Sequence, residues 1–313
     1  MQERLLRRSA TAAWKELMTR PGWADLPAPV RAAIEHRCGR VIRAQVASGG
    51  RNADFSATLH MADGRVFCKG TADANGPRGR AQRHEAYINP WLPPVAPRLA
   101  WVSEVAEWLL LGFEHVGGRH ADLSPGSPGL ALVADAMATT SDALAHCTAR
   151  APGLADKWRW LSGWKRLAAM PDYLDVWPRD RLDQLLKWEA KGIEWADGDG
   201  LVHTDLHPLN ILVGEGRAWI VDWAWSRKGD AATDAALLVI RLIHAGHTPE
   251  SAEAWAGLLP AWRATSEPKL TAFAVSIWGA WEYLQRTDPL PHRAALTSAA
   301  QRWAKYRLGS SAG

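Results

Sequence analysis

The sequence predicts a bilobal α+β protein, with a small antiparallel-sheet lobe carrying one helix ahead of a larger, mainly helical lobe. Three observations lead there. β-rich runs joined by turn-forming residues crowd into residues 40–116, and long helix-compatible segments fill the chain after residue 118. One compact β-rich patch, LNILVGEGRAWIVDW at 209–223, interrupts those helices and reads as strand, Gly-Glu-Gly turn, strand.

Taken in order, residues 1–20 and 28–38 have helix-compatible composition, and the proline-rich PGWADLPAP between them breaks any continuous helix. They form an N-terminal helical preface, residues 1–39. The runs RVIRAQVAS (40–48), DFSATLHM (54–61) and RVFCKG (65–70) follow, the last two joined at Asp63-Gly64, a strong hairpin signal. A Gly/Arg-rich link at 75–80 leads into AQRHEAYINPWL, helical until Pro93-Pro94. Two more strand-like runs, PRLAWVS (97–103) and EWLLLGFEHV (107–116), end at Gly117-Gly118. The small lobe is thus placed at 40–115 and the helical lobe at 116–313, with helices expected over 128–150, 154–169, 178–195, 231–246, 250–264, 268–286 and 291–307.

Composition narrows the function classes. The chain has 313 residues, 47% hydrophobic and 22% charged, with mean hydropathy −0.22, the range of globular proteins. Its apolar runs fall far short of the roughly 20 residues a bilayer crossing needs. The opening MQERLLRRSATAAW has no apolar signal core, so a cytoplasmic location without a membrane partner is expected. Cys38, Cys68 and Cys147 are odd in number and widely spaced, which excludes a disulfide framework and a CxxC site. The net charge of +4 divides into +5 before residue 116 and −1 after it, with no basic cluster beyond Arg78–Arg83, so a nucleic-acid partner is not expected. The split suits an anionic ligand on the first lobe and mildly favours a neutral or cationic one on the second. Nineteen Trp stand against four Phe and four Tyr, alongside 28 Arg and 9 Lys, a bias toward GC-rich codons. Nothing here bears on oligomeric state.

The chemistry concentrates in Val202-His203-Thr204-Asp205-Leu206-His207-Pro208-Leu209-Asn210, followed by Ile220-Val221-Asp222-Trp223. H-x-D-x-x-x-x-N with an aspartate at the end of the next apolar strand is the layout of phosphoryl transfer, in which a loop Asp takes the hydroxyl proton while Asn and the later Asp hold magnesium. Asn210 and Asp222 lie at the two ends of one predicted hairpin, which brings these hard oxygen ligands together. Upstream, such a site needs a lysine on the third strand for the α/β-phosphates and a helix glutamate to hold it. Lys69 ends the third predicted strand and Glu85 sits in the small lobe's helix-like segment. Ser48, Gly49 and Gly50 form a turn between the first two strands whose amides could approach phosphates, and no Walker A pattern is present.

The stretch HTDLHPLNILV, then IVDW, then GDAATD at 229–234 resembles the aminoglycoside phosphotransferase family and its choline-kinase-like and homoserine-kinase-like relatives, over roughly residues 40–310. The resemblance implies a protein-kinase-like fold, ATP or GTP as donor, Mg2+, and a small-molecule hydroxyl as acceptor. It implies Asp205 as catalytic base, His203 and His207 as braces of the loop, Asn210 and Asp222 as magnesium ligands, and Asp234 as a structural carboxylate behind the site. The connector Phe113–Gly118 resembles the family's hinge, so the Glu114 carbonyl and the Val116 amide are implied adenine contacts. Where the family pattern has Gly or Asn after the first histidine, this chain has Thr204, a mild departure. The acceptors implied are aminoglycosides or other antibiotics, with choline, homoserine or amino-sugar type metabolites as the alternative. A kinase-like regulatory module without transfer activity is a reading from another class. For the acceptor itself, Trp225, Trp278, Trp281 and Glu282 are the candidates, with Trp223, Glu194, Asp197, Asp199 and Asp288 considered beside them, and helical spacing makes core packing an equal account of Trp278 and Trp281.

Overall fold

A computed structural model describes residues 21–47 and 53–310. The chain divides into two compact units, the first of residues 1–86 and 98–115, the second of 87–97 and 116–313.

In the first unit, five antiparallel strands, β1 (Arg43–Val46), β2 (Phe55–Met61), β3 (Gly64–Thr71), β4 (Leu99–Val105) and β5 (Trp108–Glu114), pair in the order β1-β2-β3-β5-β4. Each lies on a run the sequence marks as strand. The β2–β3 register closes at Met61 opposite Gly64, whose φ of +148° a side chain rarely adopts. Strand β5 is apolar on both faces because both are covered. Leu110 joins Phe55, Ala57 and Leu59, whereas Leu109, Leu111 and Phe113 join Ala74, Phe67 and Ala86 on the other side. Gly112 is bare because the Trp101 indole lies across it: an added Cβ would fall 2.1 Å from that ring.

The Ala28–Cys38 helix corrects the expected preface. Val30 and Ile34 are fully buried with Phe55, Ala57 and Leu59, so this helix belongs to the sheet's core, each side chain contributing about 1.5–3 kcal/mol. Residues 1–20 lie outside the described residues, as do Ser48, Gly49 and Gly50. A second helix, Pro77–Ile88, carries Glu85. Residues 87–97, expected in the small lobe, group with the second unit. There the Val95 carbonyl accepts from the Ile220 amide at 2.8 Å and the Pro94 carbonyl from Arg217 at 2.5 Å.

The second unit holds five short strands, β6 (Arg119–His120), β7 (Gly200–Val202), β8 (Ile211–Gly214), β9 (Arg217–Ile220) and β10 (Arg227–Gly229). The hairpin expected at 209–223 is β8–β9, flanked by β6, and β7 pairs antiparallel with β10. Its longest helices are Leu130–Leu144, Leu182–Trp195, Glu267–Thr287 and Arg293–Ser310, with Thr233–His244 at the centre of the core. Three segments expected as single helices are broken. That at 154–169 divides into Leu154–Leu161 and Gly163–Ala168 at Ser162, whose φ is +26°. The bend lets Gly163 meet Gly279 so closely that a Cβ on Gly163 would lie 1.9 Å from the Gly279 carbonyl oxygen. The others divide into Val176–Asp180 with Leu182–Trp195, and Pro249–Ala256 with Pro260–Arg263, where Pro260 has no amide to continue a helix. Trp164, Trp223, Trp278 and Trp303 are wholly buried, so part of the tryptophan excess is core. No helix among the described residues is long and apolar enough to cross a membrane.

Candidate active site

Strand β7 delivers the chain into the loop that carries His203, Thr204 and Asp205. Thr204 has φ +65°, a left-handed conformation costly for a β-branched residue. It is held there from both sides: its amide donates to Asp234 Oδ1 at 2.8 Å and its hydroxyl to the Trp225 carbonyl at 2.8 Å. Asp234, in the first turn of the Thr233–His244 helix, also accepts from the His203 amide at 2.7 Å. Burial pushes the Asp234 carboxyl above its ordinary value, against the pull of His203 and of these two amides.

His203 is fully buried, and its ring spans two segments. Nδ1 accepts from the Asp205 amide at 3.2 Å, which leaves the proton on Nε2 to donate to the Val221 carbonyl at 2.9 Å. The ring leans on Trp223 with centroids 4.8 Å apart. His207 has the same tautomer, since Nδ1 accepts from the Leu209 amide at 3.2 Å, and its Nε2 lies 3.9 Å from Asp205 Oδ2. Burial pushes the His207 imidazole below its ordinary value.

Asn210 closes the short turn Pro208–Asn210, and Val221 and Asp222 follow β9 across the hairpin. The Asn210 carbonyl accepts from the Val221 amide at 3.0 Å, and its side-chain Nδ2 donates to the Asp205 carbonyl at 2.9 Å. That bond fixes the amide so that Oδ1 is its remaining acceptor. Asp222 has φ +66° and ψ +62°, a backbone conformation that persists where function or tight packing holds it. Asp205, Asn210 and Asp222 are therefore bound into one constellation by His203 and the hairpin.

Within the first unit, Lys69 Nζ lies 2.8 and 2.9 Å from the two Glu85 carboxylate oxygens, with the Phe113 ring 5.5 Å away. Glu114 ends β5 with its amide donated to the Arg98 carbonyl at 2.8 Å. Val116 belongs to the second unit.

A cavity of about 510 Å³ opens beside Asp205 and Thr204. Trp225 and Trp281 line it, and Trp225 is 42% exposed. Trp278 and Glu282 do not, which corrects the expectation for both. They sit four residues apart on the inward face of the Glu267–Thr287 helix, where Trp278 stacks edge-on against Trp164 at 4.6 Å and donates to Glu282 at 3.2 Å. Glu282 also holds Arg286 at 2.6 Å. Glu194, Asp197, Asp199 and Asp288 are exposed and outside the lining, and the wholly buried Trp223 is outside it too. Sequence reasoning missed Arg241. Its guanidinium, pushed down by burial and supported by the Asp205 charge, lies 5.2 Å from the Trp281 ring. The available signal was a lone cation inside the apolar run from Ala235 to Ile243.

Residues 80–268 match the sequence model of the phosphotransferase enzyme family. The chain belongs to this family. It is a phosphotransferase that transfers phosphate to a hydroxyl acceptor, and its acceptors are small molecules. Its fold is the kinase-like one of several solved structures. Aminoglycoside phosphotransferase APH(4)-Ia is 16% identical with a TM-score of 0.60, over 91% of this chain and 99% of that one. An aminoglycoside phosphotransferase from Alicyclobacillus acidocaldarius is 16% identical with a TM-score of 0.61, over 91% and 94%. Choline kinase LicA from Streptococcus pneumoniae is 13% identical with a TM-score of 0.59, over 90% and 98%. The chain matches none of the curated proteins compared with it by sequence.

Phosphotransferases of this kind imply a divalent cation, and the residues fit one. The free acceptor of Asn210 and the Asp222 carboxylate are hard oxygen donors on adjoining strand ends. Among the described residues no group of three His, Cys, Asp or Glu could hold a metal by itself. That composition suits magnesium, which binds through one or two protein oxygens together with substrate phosphates.

Proposed function

We propose that this phosphotransferase moves the γ-phosphoryl group of ATP or GTP to a hydroxyl of a small molecule held in the cavity beside Asp205. One observation carries the reading. Asp205 lines the cavity and is at the same time tied through its own backbone to Asn210 and His203. The acceptor oxygen attacks γ-phosphorus as the bond to the β,γ-bridging oxygen breaks, and the Asp205 carboxylate orients the hydroxyl and takes its proton. Magnesium, when bound, neutralises charge on the transferred group, and Asn210 and Asp222 are the residues that would hold it. Lys69, oriented by Glu85, is assigned to the α/β-phosphates, and Glu114 and Val116 to the adenine. Ser48, Gly49 and Gly50 keep their phosphate-covering role as a proposal from sequence alone.

ATP as donor is supported by the complex of a thermostable APH(4)-Ia variant with AMP-PNP and hygromycin B, and by that of spectinomycin phosphotransferase with ADP and spectinomycin. Those complexes also support an antibiotic acceptor. The test is a mass-spectrometric screen with Mg-ATP and Mg-GTP over amino-sugar, peptide and macrolide antibiotics, choline, amino alcohols and hydroxy acids. One acceptor gaining a phosphoryl group, and losing that gain in Asp205→Asn, is the expected result. Transfer unchanged in Asp205→Asn would overturn the assignment of the base.

A further inference from the structure

The cavity beside Asp205 has a charge pattern unsuited to a polycationic acceptor. Its cationic lining residues are Lys157, Arg227 and Arg293, and its carboxylates are Asp205 and Glu189. Glu189 is already committed: its two oxygens accept the amides of Trp164 at 2.9 Å and Lys165 at 3.0 Å, at the start of the Gly163–Ala168 helix. Arg293 is committed too, held at 3.2 Å by both the Asp288 carboxylate and the Leu284 carbonyl. Lys157 and Arg227 remain.

These two cations share a wall because of local pairing. Gly153, at the start of the Leu154–Leu161 helix, bridges Lys228 of β10, and Arg227 beside it donates to the Gly153 carbonyl over a long 3.3 Å. Lys157, one turn into that helix, has its ammonium 4.5 Å from the Trp160 ring. The nearest acid in sequence, Asp156, is taken by Arg159 at 2.6 Å. Burial and then the charge of Arg227 push Lys157 below its ordinary value, and burial does the same to Arg227 against the pull of Asp156. Asp156 acts on Arg227 but is exposed and paired with Arg159, so these two partly desolvated cations stabilise each other only when a further anion lies between them.

We propose that Lys157 and Arg227 bind an oxyanion, a carboxylate or a phosphate monoester, on an acceptor alcohol whose apolar body lies among Trp158, Trp225 and Trp281. The inference rests on reading this cavity as the acceptor site. Arg227 offers a planar fork of donors that matches an oxyanion edge, and Lys157 a point charge beside it. The anion anchors one part of the molecule and leaves its hydroxyl for Asp205. It also reverses the mild expectation of a neutral or cationic acceptor drawn from the net charge of residues 116–313. Of the acids behind that net charge only Glu189 and Asp205 line the cavity, and Glu194, Asp197 and Asp199 do not.

The test measures binding and transfer separately. Titration calorimetry compares para-(hydroxymethyl)benzoate, para-(hydroxymethyl)phenyl phosphate, para-(hydroxymethyl)benzamide and para-(hydroxymethyl)benzylamine, with matching sets on cyclohexyl and indole bodies. One of the two anions is expected to bind about tenfold or more tighter than the amide, with the amine weakest, and the stronger anion identifies which oxyanion the site takes. Lys157→Met and Arg227→Gln are each expected to bring the anion to the amide's level, while Arg227→Lys, which keeps the charge, retains part of the preference. An amide or amine binding as tightly as the anions, an anion preference that survives both variants, or no binding by any set overturns the proposal. Transfer from Mg-ATP is read on the same compounds. Anion binding without any transfer in this or the broader screen would sink the kinase reading of the cavity and leave the oxyanion site standing. Transfer to the amine compounds in preference to the anions would do the reverse.

Discussion

The side-chain amide of Asn210 donates to the backbone carbonyl of Asp205 at 2.9 Å, and the Asn210 carbonyl accepts the Val221 amide at 3.0 Å. One residue thus fixes the loop before the hairpin and the strand end that precedes Asp222. Asn210→Asp puts a carboxylate oxygen where the NH2 was, facing a carbonyl it cannot bond. Activity is expected to fall roughly 10–100-fold, with a raised requirement for Mg2+. Steady-state rates against Mg2+ concentration check this, and an unchanged Mg2+ dependence would remove Asn210 from the metal's ligands.

Asp205→Asn keeps the shape of the loop and both backbone bonds while removing the acceptor of the hydroxyl proton. A loss of about 10²–10⁴-fold in kcat is expected, with nucleotide affinity nearly unchanged. Nucleotide titration alongside single-turnover transfer separates the two. A matching loss of nucleotide affinity would show that Asp205 acts on the donor side.

His203 is a positioning residue, because its ring touches the Asp205 amide and the Val221 carbonyl and not the cavity. His203→Phe fills the space and orphans both groups in a fully buried site. Roughly 2–6 kcal/mol of stability is expected to be lost, from about 1–3 kcal/mol for each of the two unpaired buried polar groups. Urea unfolding measures it. His203→Gln, which can both accept and donate, should recover part of the stability, and equal losses in the two variants would point to ring packing on Trp223 as the larger contribution.

Much of this was legible in the chain because it is local. Asp63-Gly64 announces the β2–β3 turn, and the residues from His203 to Asp222 carry their spacing within twenty positions. Strand β7 was hidden because it is three residues long and pairs with β10, twenty-five residues later. The helix break at Ser162 was hidden because the close approach that accompanies it, Gly163 against Gly279, joins residues more than a hundred positions apart. Trp278 and Trp281 differ by three positions, too few for periodicity alone to decide which faces the core. The cavity's charge was the least legible feature. Lys157, Glu189, Arg227 and Arg293 come from four distant segments, and only their hydrogen bonds separate the committed groups from the available ones.

Burial holds His207 below the ordinary histidine value of 6.5, with Asp205 drawing it back up and Arg241 and His203 pushing it further down. In the unfolded chain the ring takes up a proton as pH falls through 6.5, whereas the folded protein resists it until lower pH. The unfolded state therefore binds more protons across that window, so this contribution to stability is present above 6.5 and lost as pH falls toward the folded value. Unfolding free energies at about pH 7.5 and about pH 5.5 should converge in His207→Gln relative to the unsubstituted protein. An unchanged difference between the two pH values would assign the acid sensitivity to other groups.

Lys69 and Glu85 form a buried ion pair, 2.8 Å apart with side chains 11% and 4% exposed. Such a pair is a poor stabilising device, because desolvating both charges consumes most of the attraction between them. Removing one partner is a different matter. Lys69→Met leaves the Glu85 carboxylate buried without its cation, at a cost of about 3–5 kcal/mol. The double replacement Lys69→Met with Glu85→Leu is expected to return to near or above the original stability, since two apolar side chains of similar volume replace two charges. If the pair exists to present an ammonium to nucleotide phosphates, that stable double variant should bind ATP weakly and transfer nothing. Thermal melts with ATP titration decide the matter: a double variant that melts normally and binds ATP normally would detach Lys69 from the nucleotide, whereas one that melts as low as Lys69→Met would make the pair structural.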